Sequence, residues 1–368
     1  MKAVVLLLFA GLGVNNLSGA ESQLVKLDSA DSKESAVSAV ISKSTKNADI
    51  KATAESTANA VNAINANSTD KCLLNAIKQA TPEHTVGDLR QSCAVKAPTL
   101  VKLRVGLEKQ ASKNPFAILP HKPNFVLPAS VTSINQTPYI GTPVGAKLDD
   151  VEIKFQVSLK YLAMQDLIFE DLDLQFAFTT TSWWQAYNSA ISAPFRETNY
   201  EPEVILNYHH AWSLLGLPVE QTSLSFNHQS NGQTGQLSRS WNRVILGFIF
   251  APTKNMLWGF RTWYRLPEDK KISALDPAGD DNPDIEKFMG YGELGALWNI
   301  SDKHSLEFML RNNLRSDNRG AIQLGWSFPI NDRLQGYVEY FNGYGESLIY
   351  YNHHAQRLGI GFKLTNWL

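Results

Sequence analysis

A histidine and a serine stand two residues apart in a stretch whose alternating apolar residues are typical of a β-strand. In SLSFNHQSNG, residues 223–232, they are His228 and Ser230. Side chains at positions i and i+2 of a strand lie on the same side, about 6.6 Å apart along it, so the imidazole can lean toward the hydroxyl. This spacing meets the first requirement for an activated serine nucleophile. Taken alone, such a pair is more commonly two interfacial polar residues near a strand end.

The hairpin that follows predicts an orienting residue for the histidine. If residues 231–238 close a loop and the strands pair antiparallel about position 235, Asn242 lies opposite His228, with about 5 Å between their Cβ atoms. The amide oxygen can then accept a proton from one imidazole nitrogen and leave the other free to take the serine proton. A neutral amide would suit an apolar, lipid-facing position, because an anion there costs several kcal/mol to desolvate.

Strand parity places these polar residues on an apolar face. Leu224 and Phe226 share their parity with His228 and Ser230, and Asn242 shares its parity with the apolar set of its own strand. The alternate positions of the first strand are polar throughout: Gln221, Ser223, Ser225, Asn227 and Gln229. In a membrane barrel the apolar face contacts lipid.

About twelve segments with period-two hydrophobicity follow Pro115, divided by turn residues. They are predicted at 122–132, 151–162, 172–184, 200–212, 220–230, 239–251, 256–266, 286–299, 303–313, 319–329, 332–350 and 355–367. An even number of strands about ten residues long predicts an all-β fold, a transmembrane antiparallel β-barrel. A soluble β-sandwich would also alternate, with its apolar face inward. The tryptophans near strand ends, typical of interfacial aromatic girdles, favour the membrane barrel.

The N-terminal part carries targeting and appended segments. Residues 1–20 have a lone lysine, an apolar run and small residues before Glu21, the layout of a secretory signal peptide. Residues 21–69 are rich in Ser, Ala, Lys, Asn and Asp and predict a disordered lead of low complexity. No run of 18 apolar residues follows the signal peptide, so no helical membrane anchor is expected. The net charge of −1 gives no support for a nucleic-acid partner.

Cys72 and Cys93 are the only cysteines in the sequence. In an oxidising compartment such a pair most simply forms a disulfide, within one chain or between two. Two unpaired structural thiols are the alternative, and a metal site is disfavoured because no second Cys or His cluster stands at ligand spacing. Residues 70–114 have helix-compatible spacing with Pro and Gly breaks and predict a small disulfide-tied periplasmic segment, and residues 115–368 form the predicted barrel.

Four separated motifs, in the expected order, resemble the outer membrane phospholipase A family. They are SAPFRETNYEP at 192–202, NHQSNGQTGQLSRSWNR at 227–243, DDNPDIEKFMGY at 280–291 and GYGESLIYYN at 343–352. The likeness covers roughly residue 115 to the C terminus and excludes the two cysteines. It implies a twelve-stranded barrel of the outer membrane that hydrolyses acyl ester bonds of phospholipids and lysophospholipids, with A1 and A2 specificity, with calcium and as a homodimer.

The resemblance also implies roles for individual residues. Ser230 would be the nucleophile, His228 the general base and later the acid, and Asn242 the orienter. The backbone N–H of Gly232 would help to hold the oxyanion, a role that suits a residue without a Cβ atom.

Calcium is a hard cation that takes oxygen ligands. The resemblance assigns to it the Ser238 hydroxyl and the Gln233 carbonyl of one subunit and the Ser192 carbonyl of the other. Gln233 stands where relatives often carry a basic residue, but a carbonyl ligand survives a change of side chain.

Two other functions stay open on the sequence alone. A non-catalytic outer membrane channel or structural barrel would show the same alternation, but a channel should place its important polar groups in the lumen. His228 and Ser230 have the opposite parity. An inactive relative that only binds lipid would keep the barrel without turnover.

Overall fold

The computed structural model describes residue 77 and residues 98–365, apart from 143–144, 146, 211, 274–275, 277 and 332–333. The predicted signal peptide, the lead at 21–69 and the Cys72–Cys93 pair lie outside the described residues. The chain divides into two units, Met1–Val95 and Lys96–Leu368, and every element named below belongs to the second.

The described part of residues 98–365 contains one long α-helix, α1 (Leu100–Ala111), one short α-helix, α2 (Glu286–Met289), and fourteen strands. Three 3-10 turns of this part, Thr137–Tyr139, Ser189–Ile191 and Gly235–Leu237, lie in the connections between strands. The strands are β1 (Leu119–Pro120), β2 (Asn124–Thr132), β3 (Val151–Met164), β4 (Leu172–Trp184), β5 (Phe195–Tyr208), β6 (Trp212–Leu214), β7 (Leu217–Ser230), β8 (Ser240–Thr253), β9 (Met256–Arg265), β10 (Gly292–Ser301), β11 (His304–Asn312), β12 (Gly320–Pro329), β13 (Gln335–Tyr344) and β14 (His354–Thr365). Among the described helices, none has the length and apolar character needed to span a membrane.

Twelve of the described strands close into an antiparallel barrel. Each long strand pairs with the next long strand along the chain, and β14 pairs with β2, which closes the ring. The short strands β1 and β6 pair only with β3 and β7. The prediction of a twelve-stranded antiparallel barrel is confirmed.

The barrel wall is apolar on its outside and largely polar on its inside. In β7 the side chains of Leu224 and Phe226 are 40% and 57% exposed, whereas those of Ser225 and Asn227 are 5% and 4% exposed. Because successive side chains of a strand point to opposite faces, each strand meets two different surroundings. This polarity is the reverse of a soluble sandwich and suits a bilayer.

Charged side chains inside the barrel lie in compensating pairs. Lys154 Nζ is 2.6 Å from Glu339 Oε1, and Arg196 Nη2 is 2.9 Å from Glu152 Oε1. Arg357 Nη2 approaches the same Glu152 oxygen at 2.7 Å. Such partners are needed because a buried charge without one bears a large desolvation penalty.

Helix α1 lies at the end of the barrel remote from the β7–β8 connection. Val101 packs in a cluster with Ala251 and Leu257, which lie where β8 ends and β9 begins. Arg104 Nη2 donates to the backbone carbonyls of Pro120 and His121, both at 3.1 Å. The helix is therefore fixed against the wall at that end.

Three segments differ most from the prediction. The segment predicted at 200–212 is β5, which starts earlier, and the segment predicted at 286–299 contains α2 before β10 begins. The segment predicted at 332–350 ends as β13 at Tyr344, because the residues that follow fold into a loop. That loop is buried, because Leu348 packs in a cluster with Trp241 of β8, and Ile349 and Tyr350 pack in another with Tyr139 of the β2–β3 connection. Apolar character alone does not distinguish such a packed loop from a strand.

Candidate active site

His228 and Asn242 face each other across the β7–β8 pair. Phe226 lies opposite Val244 and His228 opposite Asn242, as the symmetry of the hairpin predicts. His228 Nδ1 and Asn242 Oδ1 are 2.8 Å apart, a normal hydrogen-bond distance. The predicted register is confirmed, and the neighbouring strand holds the imidazole.

The direction of the Asn242 amide follows from its second partner, Glu268. Asn242 Nδ2 donates to Glu268 Oε1 at 2.8 Å. Because an ionised carboxylate can only accept, the amide nitrogen must face Glu268 and the amide oxygen must face His228. His228 therefore donates its Nδ1–H to Asn242, and its Nε2 carries the lone pair that can accept a proton.

Ser230 is the last residue of β7 and lies on the outer side of the barrel. It pairs with Ser240 of β8 and with Tyr200 of β5. Its side chain is partly exposed, and Phe226 on the same face is 57% exposed. Within the described part of the chain, no hydrogen bond joins the Ser230 hydroxyl to His228. Catalytic hydrogen bonds commonly tighten only when substrate binds.

Asn231 holds the loop that follows the serine. Its side chain is buried, and its Nδ2 donates to the Leu237 carbonyl at 2.7 Å. Its Oδ1 accepts from the backbone N–H groups of Gln233 (3.2 Å) and Arg239 (3.0 Å). One buried amide thus joins the start of the loop to its end.

Gly232 adopts a conformation that favours glycine. Its φ is +65°, in the left-handed region. A Cβ atom at this position would also lie 3.2 Å from Cε2 of Tyr200. The chain can therefore turn two residues after Ser230, close to where a serine hydrolase needs a backbone donor for the oxyanion.

The predicted calcium ligands fall in two loops. Ser238 and Gln233 share the β7–β8 loop, whereas Ser192 lies in the β4–β5 loop with a φ of +60°. Ser238 Oγ donates to Asp281 Oδ2 at 2.8 Å, and Ser240 Oγ does so at 3.2 Å. Two of the three predicted ligands thus lie in the same loop of one chain.

Asp281 gives the Ser238 loop a negative charge. Its other carboxylate oxygen forms an ion pair with Lys271 Nζ. Hydroxyl, carbonyl and carboxylate oxygens are the hard donors that calcium takes, so the loop fits this ion. No group of three or more His, Cys, Asp or Glu side chains placed to hold a metal occurs among the described residues. A calcium ion here would therefore depend mainly on hydroxyl and carbonyl oxygens.

Glu268 lies in the β9–β10 loop, outside the strands. Partial burial of its carboxyl raises its pKa above the ordinary value, although the hydrogen bond from Asn242 lowers it. The negative charges of Asp280 and Asp281 raise this pKa, and Arg265 opposes them. The carboxyl group thus lies among charges of both signs at the edge of the site.

The sequence pattern did not indicate Glu268 or the anchoring role of Asn231. Glu268 is 26 positions after Asn242, in a loop, and no periodicity relates a loop position to a strand end. Asn231 could have been found, because an Asn-Gly pair after a strand marks a turn whose backbone N–H groups an asparagine side chain commonly binds.

The sequence is similar to a family of known proteins. The model of the family described as Phospholipase A1 matches residues 101–364. Phospholipase A1 of Escherichia coli K12 is 31% identical over 284 residues, which cover 77% of this chain and 92% of that protein. A putative phospholipase A1 of Neisseria meningitidis serogroup B is 36% identical over 284 residues, which cover 73% of this chain and 70% of that protein.

Solved structures resemble this barrel as well. Outer membrane phospholipase A from Escherichia coli aligns with a TM-score of 0.63 at 32% identity and covers 69% of this chain and 94% of that one. The outer membrane phospholipase dimer of Salmonella typhi with bound calcium aligns with a TM-score of 0.64 at 30% identity and covers 71% and 97%. The likeness therefore extends to both sequence and fold.

Proposed function

This chain belongs to the phospholipase A1 family, and we propose that it hydrolyses acyl ester bonds of phospholipids and lysophospholipids, with both A1 and A2 specificity. The barrel lies in the outer membrane. Ser230 is the nucleophile, His228 the general base and Asn242 its orienter. The observation that carries the proposal is the 2.8 Å hydrogen bond between His228 Nδ1 and Asn242 Oδ1, on the outer face and two residues from the serine.

Hydrolysis proceeds in two steps. Ser230 Oγ first attacks the ester carbonyl carbon while its proton passes to His228 Nε2, which then gives that proton to the departing alcohol. Water next attacks the acyl-serine and gives a proton to Nε2. That proton returns to Ser230 Oγ as the fatty acid leaves. Asn242 keeps the imidazole in the tautomer with a free Nε2.

The oxyanion that forms in both steps needs a donor near Ser230. The positive φ of Gly232 turns the chain at this point, and its backbone N–H is the donor we propose. Asn231 keeps that turn in place through its three side-chain hydrogen bonds.

Substrate approaches from the side, through lipid. Leu224 and Phe226 precede the catalytic pair on the outer face and are 40% and 57% exposed, so acyl chains can pack against them. The interior offers charged pairs such as Lys154–Glu339 instead. A channel would place its functional groups among those interior charges, whereas His228 and Ser230 have the opposite orientation.

Calcium is the cofactor we propose, in a homodimer. Ser238 Oγ and the Gln233 carbonyl would hold it together with the Ser192 carbonyl of a second copy, and the bound ion would polarise the ester carbonyl or a water beside the oxyanion. The Salmonella typhi relative, a dimer with bound calcium, supports the choice of cofactor and of a dimer. Ligands divided between two subunits would couple dimerisation to activity.

The test is Ser230→Ala, assayed by fatty acid release from phospholipid in detergent micelles with calcium. Release should be lost while the barrel still folds, as circular dichroism and heat-dependent electrophoretic mobility would show. The matched control is Ser225→Ala, which removes a serine from the inner face of the same strand and should keep activity. Undiminished release by Ser230→Ala would refute the proposal, and calcium chelation should stop turnover of the wild-type protein.

A further inference from the structure

The β9–β10 loop is attached to Asn242 at two points. The backbone N–H of Leu266 donates to the Asn242 carbonyl at 2.8 Å, and Asn242 Nδ2 donates to Glu268 Oε1 at 2.8 Å. The bond from Asn242 Nδ2 to Glu268 and the 2.8 Å bond between Asn242 Oδ1 and His228 Nδ1 form a continuous row of imidazole, amide and carboxylate. Both ends of the Asn242 amide are therefore occupied by groups of this site.

A carboxylate that accepts a hydrogen bond from the amide nitrogen of Asn242 makes its amide oxygen a stronger hydrogen-bond acceptor. The negative charge near Nδ2 draws the amide hydrogens and increases the negative charge on Oδ1, because hydrogen bonds in a row polarise one another. Oδ1 then becomes a better acceptor for the Nδ1–H of His228. The benefit is largest when the imidazole carries a second proton, which is its state in the transition state of both steps.

The position of Glu268 lets it act in this way at a lower desolvation cost than a carboxylate within the strand region would bear. The residue lies beyond the end of β9 and is partly exposed, whereas Asn242 lies within the strand region. Arg265 is close enough to stabilise the ionised carboxyl, and it is itself paired with Asp280. The nearby negative charges are those of Asp280 and Asp281.

We propose that Glu268 is a positioning residue for the triad, which fixes the Asn242 amide and polarises it toward His228. The inference rests on the proposed function of Ser230, His228 and Asn242. It adds a carboxylate that acts on the histidine through a neutral amide.

The test separates this electrostatic role from a structural one by a double-mutant cycle. Glu268→Gln keeps an acceptor for Asn242 but removes the charge, and it should lower kcat about tenfold with little change in KM. In Asn242→Asp the new carboxylate faces His228 directly and stands beside Glu268, so that the two negative charges repel. Adding Glu268→Gln to Asn242→Asp should therefore leave kcat unchanged or raise it.

Glu286→Gln is the matched control. Glu286 is another partly buried carboxyl that lines the same cavity as Glu268, and it has no described hydrogen bond to Asn242. The kcat of the Glu286→Gln variant should equal that of the wild type. All variants would be measured with phospholipid micelles and saturating calcium, after circular dichroism has confirmed folding.

Two results would overturn the inference. One is wild-type kcat in Glu268→Gln. The other is an equal loss of kcat when Glu268→Gln is introduced into the wild type and into the Asn242→Asp variant, which a purely structural contact would produce. Ser230→Ala measured alongside tells the two proposals apart. If that variant is inactive while Glu268→Gln behaves as wild type, only the role of Glu268 fails, and if Ser230→Ala keeps its activity, the proposed function fails.

Discussion

Replacing Asn231 with alanine should disable the β7–β8 loop, which carries the proposed oxyanion donor, while the barrel stays intact. The buried side chain makes three hydrogen bonds, to the Leu237 carbonyl at 2.7 Å and to the N–H groups of Gln233 and Arg239 at 3.2 and 3.0 Å. At about 1 kcal/mol each, their loss removes about 3 kcal/mol that favours the ordered loop. Since about 1.4 kcal/mol corresponds to a tenfold change in population, we expect kcat to fall about 100-fold.

The assay is fatty acid release from micellar phospholipid over a calcium titration, with thermal unfolding followed in parallel. The calcium concentration for half-maximal activity should rise, because the loop carries the predicted ligands Gln233 and Ser238. Asn231→Asp keeps the acceptor for two N–H groups and loses the donor to Leu237, so its kcat should lie between those of the wild type and Asn231→Ala. Wild-type kcat and calcium dependence in Asn231→Ala would refute the reasoning.

Two further substitutions test the neighbourhood of the triad. Gly232→Ala places a Cβ atom at φ +65° and 3.2 Å from Tyr200, a strain of about 1–2 kcal/mol, so kcat should fall about tenfold while thermal unfolding stays near that of the wild type. Equal kcat would contradict the need for this turn. Lys271→Gln removes the cation paired with Asp281 beside Ser238, so half-saturation with calcium, measured by titration calorimetry, should occur at about threefold lower concentration. A rise would show that Lys271 supports the site.

The barrel could be predicted because strand parity is a local property. Leu224 and Phe226 mark the outer face of β7 without any knowledge of the neighbouring strand. The register of the β7–β8 hairpin also followed from the chain alone, because a short connection leaves antiparallel strands few alternatives. The pairing of His228 with Asn242 confirms that reasoning.

The loops could not be predicted by the same argument. Leu348 and Tyr350 have the apolar character of strand residues, but they are buried in a loop that follows β13. Glu268 meets Asn242 only because β9 returns beside β8 and the loop then bends back over the strand end. Within that loop Arg265 forms an ion pair with Asp280, 15 positions later. Sequence periodicity does not indicate such a contact.

The location of the proposed triad gives a physical reason to keep a carboxylate away from direct contact with His228. A carboxylate in place of Asn242 would stand on the apolar wall of the barrel, where an anion costs several kcal/mol to desolvate. The amide brings a dipole without net charge to the same place, and Glu268 keeps the charge beyond the strand end, near Arg265. In the Ser-His-Asp template the carboxylate is buried within protein instead of facing lipid, and it accepts directly from the imidazole. If substrate reaches the proposed site through lipid, Asn242 would therefore make the neutral contact with the imidazole and Glu268 would supply the negative charge, two roles that a single aspartate has in the Ser-His-Asp template.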